Sequence, residues 1–513
     1  MLASSILVSI ITLFLNILGF LNQMVLAKLF GASSLMDSYL IASNLPIFIS
    51  GILMAAQSYA LIPALISHKK NKKIHKDYLG MFLIFFLFLC FGISILGYFL
   101  SPLQISFFRG ALNQDLIAGA TVMARISWIT AGLMILSSFF KAIHQAENQF
   151  IISILPSILP FVIMIMSGIF FGEKFGPFAI TLGMLVGFIA VNVFFLVSTY
   201  KFFNISLDCI KQSKEILNYF LKSPLVLLAM LSFTIYQAID SYWAPKIGIG
   251  NLSYLSYSQK LIIAFANLVI SGPSIVIFRR LSLYHIQGKS VDFLKDIVRA
   301  LKITTAFSLP LTFFVGTLGE PIIKLLFENG VFTNTDSIIV SSMLPEMMLG
   351  SVAMISVVMI FRALFAQNRV AECAVIGIFL GAIYFLLSGV LIQFFQVRGI
   401  SLSYMFSMWA TYILGATFLF KGSLLKMKVD SNFLYSIATS CLIILILSLI
   451  GLYFINIYDD GKLLILIKLF LVSCFSLYFF IKVNTEWFKI KDMALIYNFI
   501  HNFFIQIRLK YKK

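Results

Sequence analysis

Six ionisable residues stand inside long apolar runs of this chain: Asp37, Arg125, Asp240, Lys260, Glu346 and Lys468. A charge in hydrocarbon is costly unless it meets a counter-charge, a hydrogen-bonding partner or water, so each is a candidate for binding or ion-coupling chemistry. Two amides join them, Asn22 and Gln23 within ILGFLNQMVLAKLFG, and they need partners for the same reason. Lys260 is set about eight residues into its run, roughly 12 Å at helical rise, which is deep for snorkelling and suits a place in a polar cavity. Asp240 can serve the same polar space or close a structural ion pair with Lys260 or Arg125. Asn22 and Gln23 can bond between helices, and Asp37, after Gly31-Ala-Ser-Ser, can cap the second helix. Glu346 follows Pro345 and can satisfy a kink, and Lys468 can snorkel.

Catalysis finds no support in these residues. The sequence carries no Gly-rich phosphate loop, no carboxylate pair at catalytic spacing and no nucleophile beside a base. The five histidines lack metal-ligand spacing, and Cys90, Cys209, Cys373, Cys441 and Cys474 are scattered without a CxxC. These cysteines read as small core residues rather than a disulfide frame or metal site. The expectation is a protein that is not an enzyme and needs no cofactor or metal.

The elements that hold these residues are membrane helices. Of 513 residues 60% are hydrophobic and 11% charged, and the mean hydropathy is +1.00, so lipid must be the main solvent. Apolar runs of about 20 residues predict spans near 4–27, 38–66, 79–101, 119–141, 150–171, 177–200 and 223–244. Seven more follow near 253–278, 302–319, 338–362, 373–395, 400–420, 432–457 and 463–482. The first is too long and too poor in N-terminal charge for a cleaved signal peptide, so a retained helix is expected.

The formal charge of +18 follows this count. Segments after even-numbered spans hold 28 of the 38 Lys and Arg, those after odd-numbered spans hold seven, and three lie within spans. The bias predicts both termini in the cytoplasm, and it reads as an orientation signal rather than nucleic-acid binding. On that orientation Asn22, Gln23, Asp37, Asn44, Arg125, Asp240, Gln259 and Lys260 fall in the outer half of the membrane, with Asn16 nearer its middle. Their concentration predicts one polar cavity between two halves.

Two segments read as amphipathic rather than spanning. HIQGKSVDFLKDIVRALK (285–302) predicts a cytoplasmic interfacial helix with Phe293, Ile297 and Leu301 on one face. EPIIKLLFENGVFTNTDS (320–337) predicts a short outer helix opened by Pro321 and closed near Gly330. A faint repeat at an offset near 216 residues lays Ser43-Asn44-Leu45 on Gln259-Lys260-Leu261. It suits two six-helix halves with spans 13 and 14 appended.

The segments GFLNQMVLAKLFGASSLMDSYLIASNLPIFISGILMAAQSYALIPAL (19–65), KAIHQAENQFIISILPSILP (141–160) and AIDSYWAPKIGIGNLSYLSYSQKL (238–261) resemble MurJ/MviN-type lipid II flippases. EPIIKLLFENGVFTNTDS and FRALFAQN (361–368) recur there as well. The resemblance implies an all-α polytopic protein of about fourteen helices, with two six-helix lobes in a V-shaped MOP/MATE-like arrangement. It implies an N-terminal lobe at 1–200, a C-terminal lobe at 201–425, helices 13 and 14 at 426–482 beside a lipid-tail groove, and a basic cytoplasmic tail at 483–513. The implied activity is alternating-access transfer of an undecaprenyl-diphosphate-linked saccharide from the cytoplasmic to the outer leaflet of the bacterial inner membrane. Lipid II or a related lipid-linked oligosaccharide would be the cargo, for peptidoglycan or polysaccharide synthesis.

The departures from that family are chemical. Arginine positions of its first two helices read Asn16, Asn22, Asn44 and Ser50 here, and the acidic residue after the first-helix arginine reads Gln23. Asp37 is retained, an Asp-Arg pair becomes Gln259-Lys260, and Asp240 matches an acidic residue linked to cation binding in some members. Span 11 (373–395) offers no interior carboxylate to complete such a cation site. The amides keep the cavity polar with far less positive charge, which leaves Lys260 its main cation and Arg125 a more distant second. The membrane potential, Na+ or H+ would drive transport, through a monomer surrounded by membrane lipids, with envelope-polysaccharide synthesis enzymes as candidate partners. Two other readings stand beside this one: a MATE-like exporter of small amphiphilic or cationic compounds, and a non-transporting scaffold for envelope-polysaccharide enzymes.

Overall fold

A computed structural model describes residues 2–67, 72–200, 224–231, 234–420, 431–455 and 461–482. All described elements are helical. They are α1 (Leu2–Phe30), α2 (Ser34–Ser67), α3 (Lys72–Phe108), α4 (Gln114–Ala146), α5 (Phe150–Ile154), α6 (Ile158–Phe175), α7 (Pro177–Thr199), α8 (Pro224–Leu231) and α9 (Ile235–Ile247). There follow α10 (Asn251–Ile286), α11 (Ser290–Thr317), α12 (Gly319–Phe327), α13 (Asn334–Ala366), α14 (Val370–Phe395), α15 (Val397–Phe420), α16 (Ser431–Phe454) and α17 (Lys462–Lys482). In lipid a backbone must satisfy its own hydrogen bonds, and for an apolar run the helix does so locally.

Among the described residues the fourteen expected spans fall on helices, with 150–171 covering α5 and α6, 223–244 covering α8 and α9, and 302–319 running from α11 into the start of α12. Twelve segments are long and apolar enough to cross a membrane, and α8 with α9, bent by 49°, makes thirteen as one broken span. The remaining expected span, 253–278, lies within the 36 residues of α10. The chain is therefore a multi-pass membrane protein. The basic stretch 201–222, the lysines of 421–428 and the tail 483–513 lie outside the described residues.

One expected element is corrected. Residues 285–302 do not form a separate interfacial helix: α10 ends at Ile286, and from Ser290 the chain enters the 28-residue α11. Phe293, Ile297 and Leu301 are buried as a face, and the buried stripe continues unbroken through Thr304 and Ser308. With no helix breaker between the amphipathic half and the apolar half, the two propagate as one helix. The short helix expected from 320 onward is α12, with Pro321 in its first turn, and Asn334 already opens α13.

The described chain divides into two compact units. The first comprises residues 1–260, 327–336 and 369–403, and the second comprises 261–326, 337–368 and 404–513. In the first, Phe82, Phe86, Phe139, Phe140 and Phe195 from α3, α4 and α7 form a buried core with Phe86 and Phe139 stacked at 4.8 Å. Small residues let the helices close up: a Cβ on Gly132 would meet Ser94 Oγ at 2.3 Å, the close approach that substitutes for hydrophobic drive in lipid. In the second, Ala306 of α11, Ile444 of α16 and Phe480 of α17 share a core. Lys468 donates to the Phe454 carbonyl at 2.8 Å, so it caps α16.

Candidate functional site

The sequence-selected residues of the first unit sort into two polar clusters and several outliers. The first cluster sits where α2, α9, α10 and α14 meet. Asp240 on α9 is 2% exposed. Gln259 on α10 donates to one of its oxygens and Tyr384 on α14 donates to the other. One residue along α9, Ser241 accepts a hydrogen bond from Asn44 of α2 at 2.9 Å. Four helices are thus tied through one carboxylate and one hydroxyl.

Lys260 follows Gln259 directly but takes no part in this network. It is exposed, and among the described residues it has no hydrogen bond and no acidic partner. The expected Asp240–Lys260 and Asp240–Arg125 ion pairs are absent among the described residues; the partners of the carboxylate there are tyrosine and glutamine. Lys260 opens an exposed stripe of α10 that continues at Ala264 and Asn267, four and seven residues on. A small residue and an amide suit an aqueous face, whereas the exposed stripes of α3 carry Phe88, Phe91 and Phe99.

The second cluster pins one end of these helices. Asp37, 3% exposed, accepts from the Gly250 N–H at 2.6 Å, the Ser253 N–H at 2.9 Å and the Ser253 hydroxyl at 2.6 Å. It therefore caps α10, not its own helix; the Met36 N–H of α2 is met instead by Ser33 Oγ at 3.3 Å. Gly250 cannot cap α10 itself, having no side chain, and it is required there. Its φ is +85°, and a Cβ would stand 2.8 Å from the Ala32 carbonyl oxygen. Further ties surround it: Tyr257 donates to the Gly31 carbonyl at 2.8 Å, the Val331 N–H to the Lys28 carbonyl at 3.0 Å, and Tyr254 to Asp336 at 2.9 Å.

The outliers lie apart. Arg125 rests over the Tyr98 ring at 4.7 Å; Val122 and Ile129, one turn either side on α4, are 42% and 36% exposed. Ser50 is buried and donates to the Ile47 carbonyl and to Met134 Sδ, a packing contact of α2 with α4. Asn16 is exposed beside Leu13, Phe14 and Ile17. Asn22 and Gln23 are buried, yet Asn22 Oδ1 and Gln23 Nε2 have no partner among the described residues.

Tyr384 was not legible as a site residue, since a tyrosine in an apolar span reads as packing. Its available signal is the hydroxyl, which a buried tyrosine must satisfy. Gln104 was missed for a similar reason: it donates to the Ile41 carbonyl at 2.9 Å and accepts from Trp128 at 2.8 Å, joining α3 to α2 and α4.

Comparison with known proteins adds an independent finding. Residues 26–473 match the family model described as Lipid II flippase MurJ. The "Probable lipid II flippase MurJ" of Buchnera aphidicola subsp. Acyrthosiphon pisum is 26% identical over 464 residues, covering 88% of this chain and 91% of that protein. Among solved structures, "Lipid II flippase MurJ, inward closed conformation" superposes with a TM-score of 0.74 at 23% identity, over 94% of this chain and 99% of that one. An inward-facing multidrug resistance MATE family transporter of the MOP superfamily gives 0.68 at 15% identity, over 81% and 96%. Both structural likenesses speak for the fold alone.

Proposed function

The chain belongs to the lipid II flippase MurJ family, and we propose from that premise that it transfers an undecaprenyl-diphosphate-linked saccharide between membrane leaflets by alternating access. Lipid II or a related lipid-linked oligosaccharide is the cargo. Transfer runs from the cytoplasmic to the outer leaflet, and the basic-residue bias supports cytoplasmic termini. The four-part division at 200, 425 and 482, with helices 13 and 14 flanking the lipid tail, belongs to the same reading. So does a monomer that works beside enzymes of envelope-polysaccharide synthesis.

The observation that carries the reading is Lys260. It is an exposed cation without an acidic partner among the described residues, on a helix face of small and amide side chains. A diphosphate shedding water gains most from such a charge, because a charge-assisted bond strengthens as the dielectric falls. Asp240, held by Tyr384 and Gln259, fixes the helices around it rather than neutralising it. Asp37 ties α2 to the N-terminal end of α10, and any movement that parts those helices during transport must break that contact.

Complementation of a flippase-depleted strain tests this, with membrane levels of each variant checked by blot. Lys260→Ala should lower transport at least about tenfold, since one charge-assisted contact contributes roughly 1.5–3 kcal/mol. Lys260→Arg should keep much of the activity, because a guanidinium also meets phosphate oxygens. Normal growth with Lys260→Ala at normal abundance would place the phosphate elsewhere.

A further inference from the structure

On the side of the membrane where basic residues are scarce, two of the seven that do occur are brought together. Arg109 ends the α3 side and Lys246 ends the α9 side. Between them the backbones touch: the Ala111 N–H donates to the Pro245 carbonyl at 2.8 Å. Gly110 makes the approach feasible, with φ +50° and a hypothetical Cβ 2.4 Å from the Pro245 backbone. Neither cation has an ion-pair partner among the described residues, and both are exposed.

Below the two charges lies an aromatic shelf built from three spans. Phe107 meets Tyr242 at 5.1 Å, Tyr242 meets Phe385 at 5.5 Å, and Trp243 meets Phe385 at 5.3 Å between ring centroids. The Lys246 ammonium lies 3.5 Å from the Tyr242 centroid and 5.0 Å from that of Trp243, so its side chain is held down at the shelf edge. The same turn leads into α4, whose N-cap residue Asn113 makes no side-chain capping bond. The first amides of that helix add partial positive charge. Asp115 in its first turn is the acidic group on that end of α4, and it forms no ion pair with either cation.

We propose that this shelf is a binding site for an anionic phospholipid. The headgroup phosphodiester lies between Arg109 and Lys246, and an acyl chain runs down Phe107, Tyr242 and Phe385. The occupant follows from charge and shape. Two unpaired cations on a face otherwise poor in them select net negative charge, and an exposed aromatic slope at a membrane interface selects a chain over a soluble anion. The site is separate from Lys260 and does not depend on transport. The orientation proposed above makes its lipid one of the outer leaflet.

The test uses the full chain in nanodiscs of phosphatidylcholine, into which phosphatidylglycerol with brominated acyl chains is mixed. The signal is the part of the tryptophan quenching that disappears in Trp243→Phe. Brominated phosphatidylglycerol should half-quench at a mole fraction about 25-fold lower than brominated phosphatidylcholine. Each cation should contribute about fivefold to that preference, so Lys246→Gln should shrink it and Arg109→Gln with Lys246→Gln should abolish it. Arg109→Lys with Lys246→Arg should retain it, which separates charge from packing. Equal quenching by the two lipids in the parent protein, or an undiminished preference in Lys246→Gln, would overturn the proposal. If the double variant fails to reach membranes, those two measurements still decide.

Discussion

Replacing Asp37 with asparagine keeps the side-chain volume and turns one acceptor oxygen into a donor. In the parent protein its oxygens take three hydrogen bonds, from the Gly250 N–H at 2.6 Å, the Ser253 N–H at 2.9 Å and the Ser253 hydroxyl at 2.6 Å. The least damaging placement of the new amide nitrogen faces Gly250 and leaves the two Ser253 bonds. That placement loses one charge-assisted bond of about 1.5–3 kcal/mol, and the other two fall to about half strength as neutral bonds. Relief from burying a carboxylate offsets part of this. The balance comes to about 3 kcal/mol, or about a hundredfold in the equilibrium for separating Asp37 from the end of α10. Hydrogen exchange over residues 248–257 reports that separation, because the two amides exchange only when their acceptor leaves. Exchange there should speed up by about a hundredfold, while the α3 core around Phe82 and Phe86 keeps its parent rate. Unchanged exchange at 248–257 in a well-folded Asp37→Asn protein would show that the carboxylate does not hold this helix end.

Three further outcomes follow from the same geometry. Tyr384→Phe removes one of the two donors to Asp240, and the stranded oxygen should cost about 1–3 kcal/mol; a melting temperature in detergent equal to the parent's would refute the tie. Asn22→Leu should raise that melting temperature while lowering complementation, because Asn22 Oδ1 is buried without a partner among the described residues and a leucine leaves no polar atom unsatisfied; a lower melting temperature would mean that the amide is bonded in the resting protein. For orientation, Val331→Cys, at a position 53% exposed, should react with an impermeant maleimide on intact spheroplasts, and Lys76→Cys should not; the reverse pattern would invert the assigned faces.

Much of the architecture was legible in the order of residues. Span positions are a local property, since about 20 apolar residues in lipid have no alternative to satisfying their own backbone, and among the described residues the expected runs lie on helices, three of them across a break between two. Asp37, Asn44, Asp240 and Gln259 were also visible, because a charge or amide inside such a run stands out against its neighbours, whereas Tyr384 and Gln104, which complete the polar ties, were not. What each one meets was decided only by tertiary packing. Asp37 could cap its own helix or another, and the fold gives it α10, over 200 residues away along the chain. Asp240 could pair with lysine or arginine, and the fold gives it Tyr384 and Gln259 instead, with Lys260 unpaired among the described residues. Arg125 was grouped with them by depth, yet the rotation of α4 turns it onto Tyr98. Depth along a membrane helix follows from counting residues. The azimuth of a side chain depends on how its helix packs against neighbours distant in sequence, and hydrophobic periodicity in a span apolar all round does not encode it.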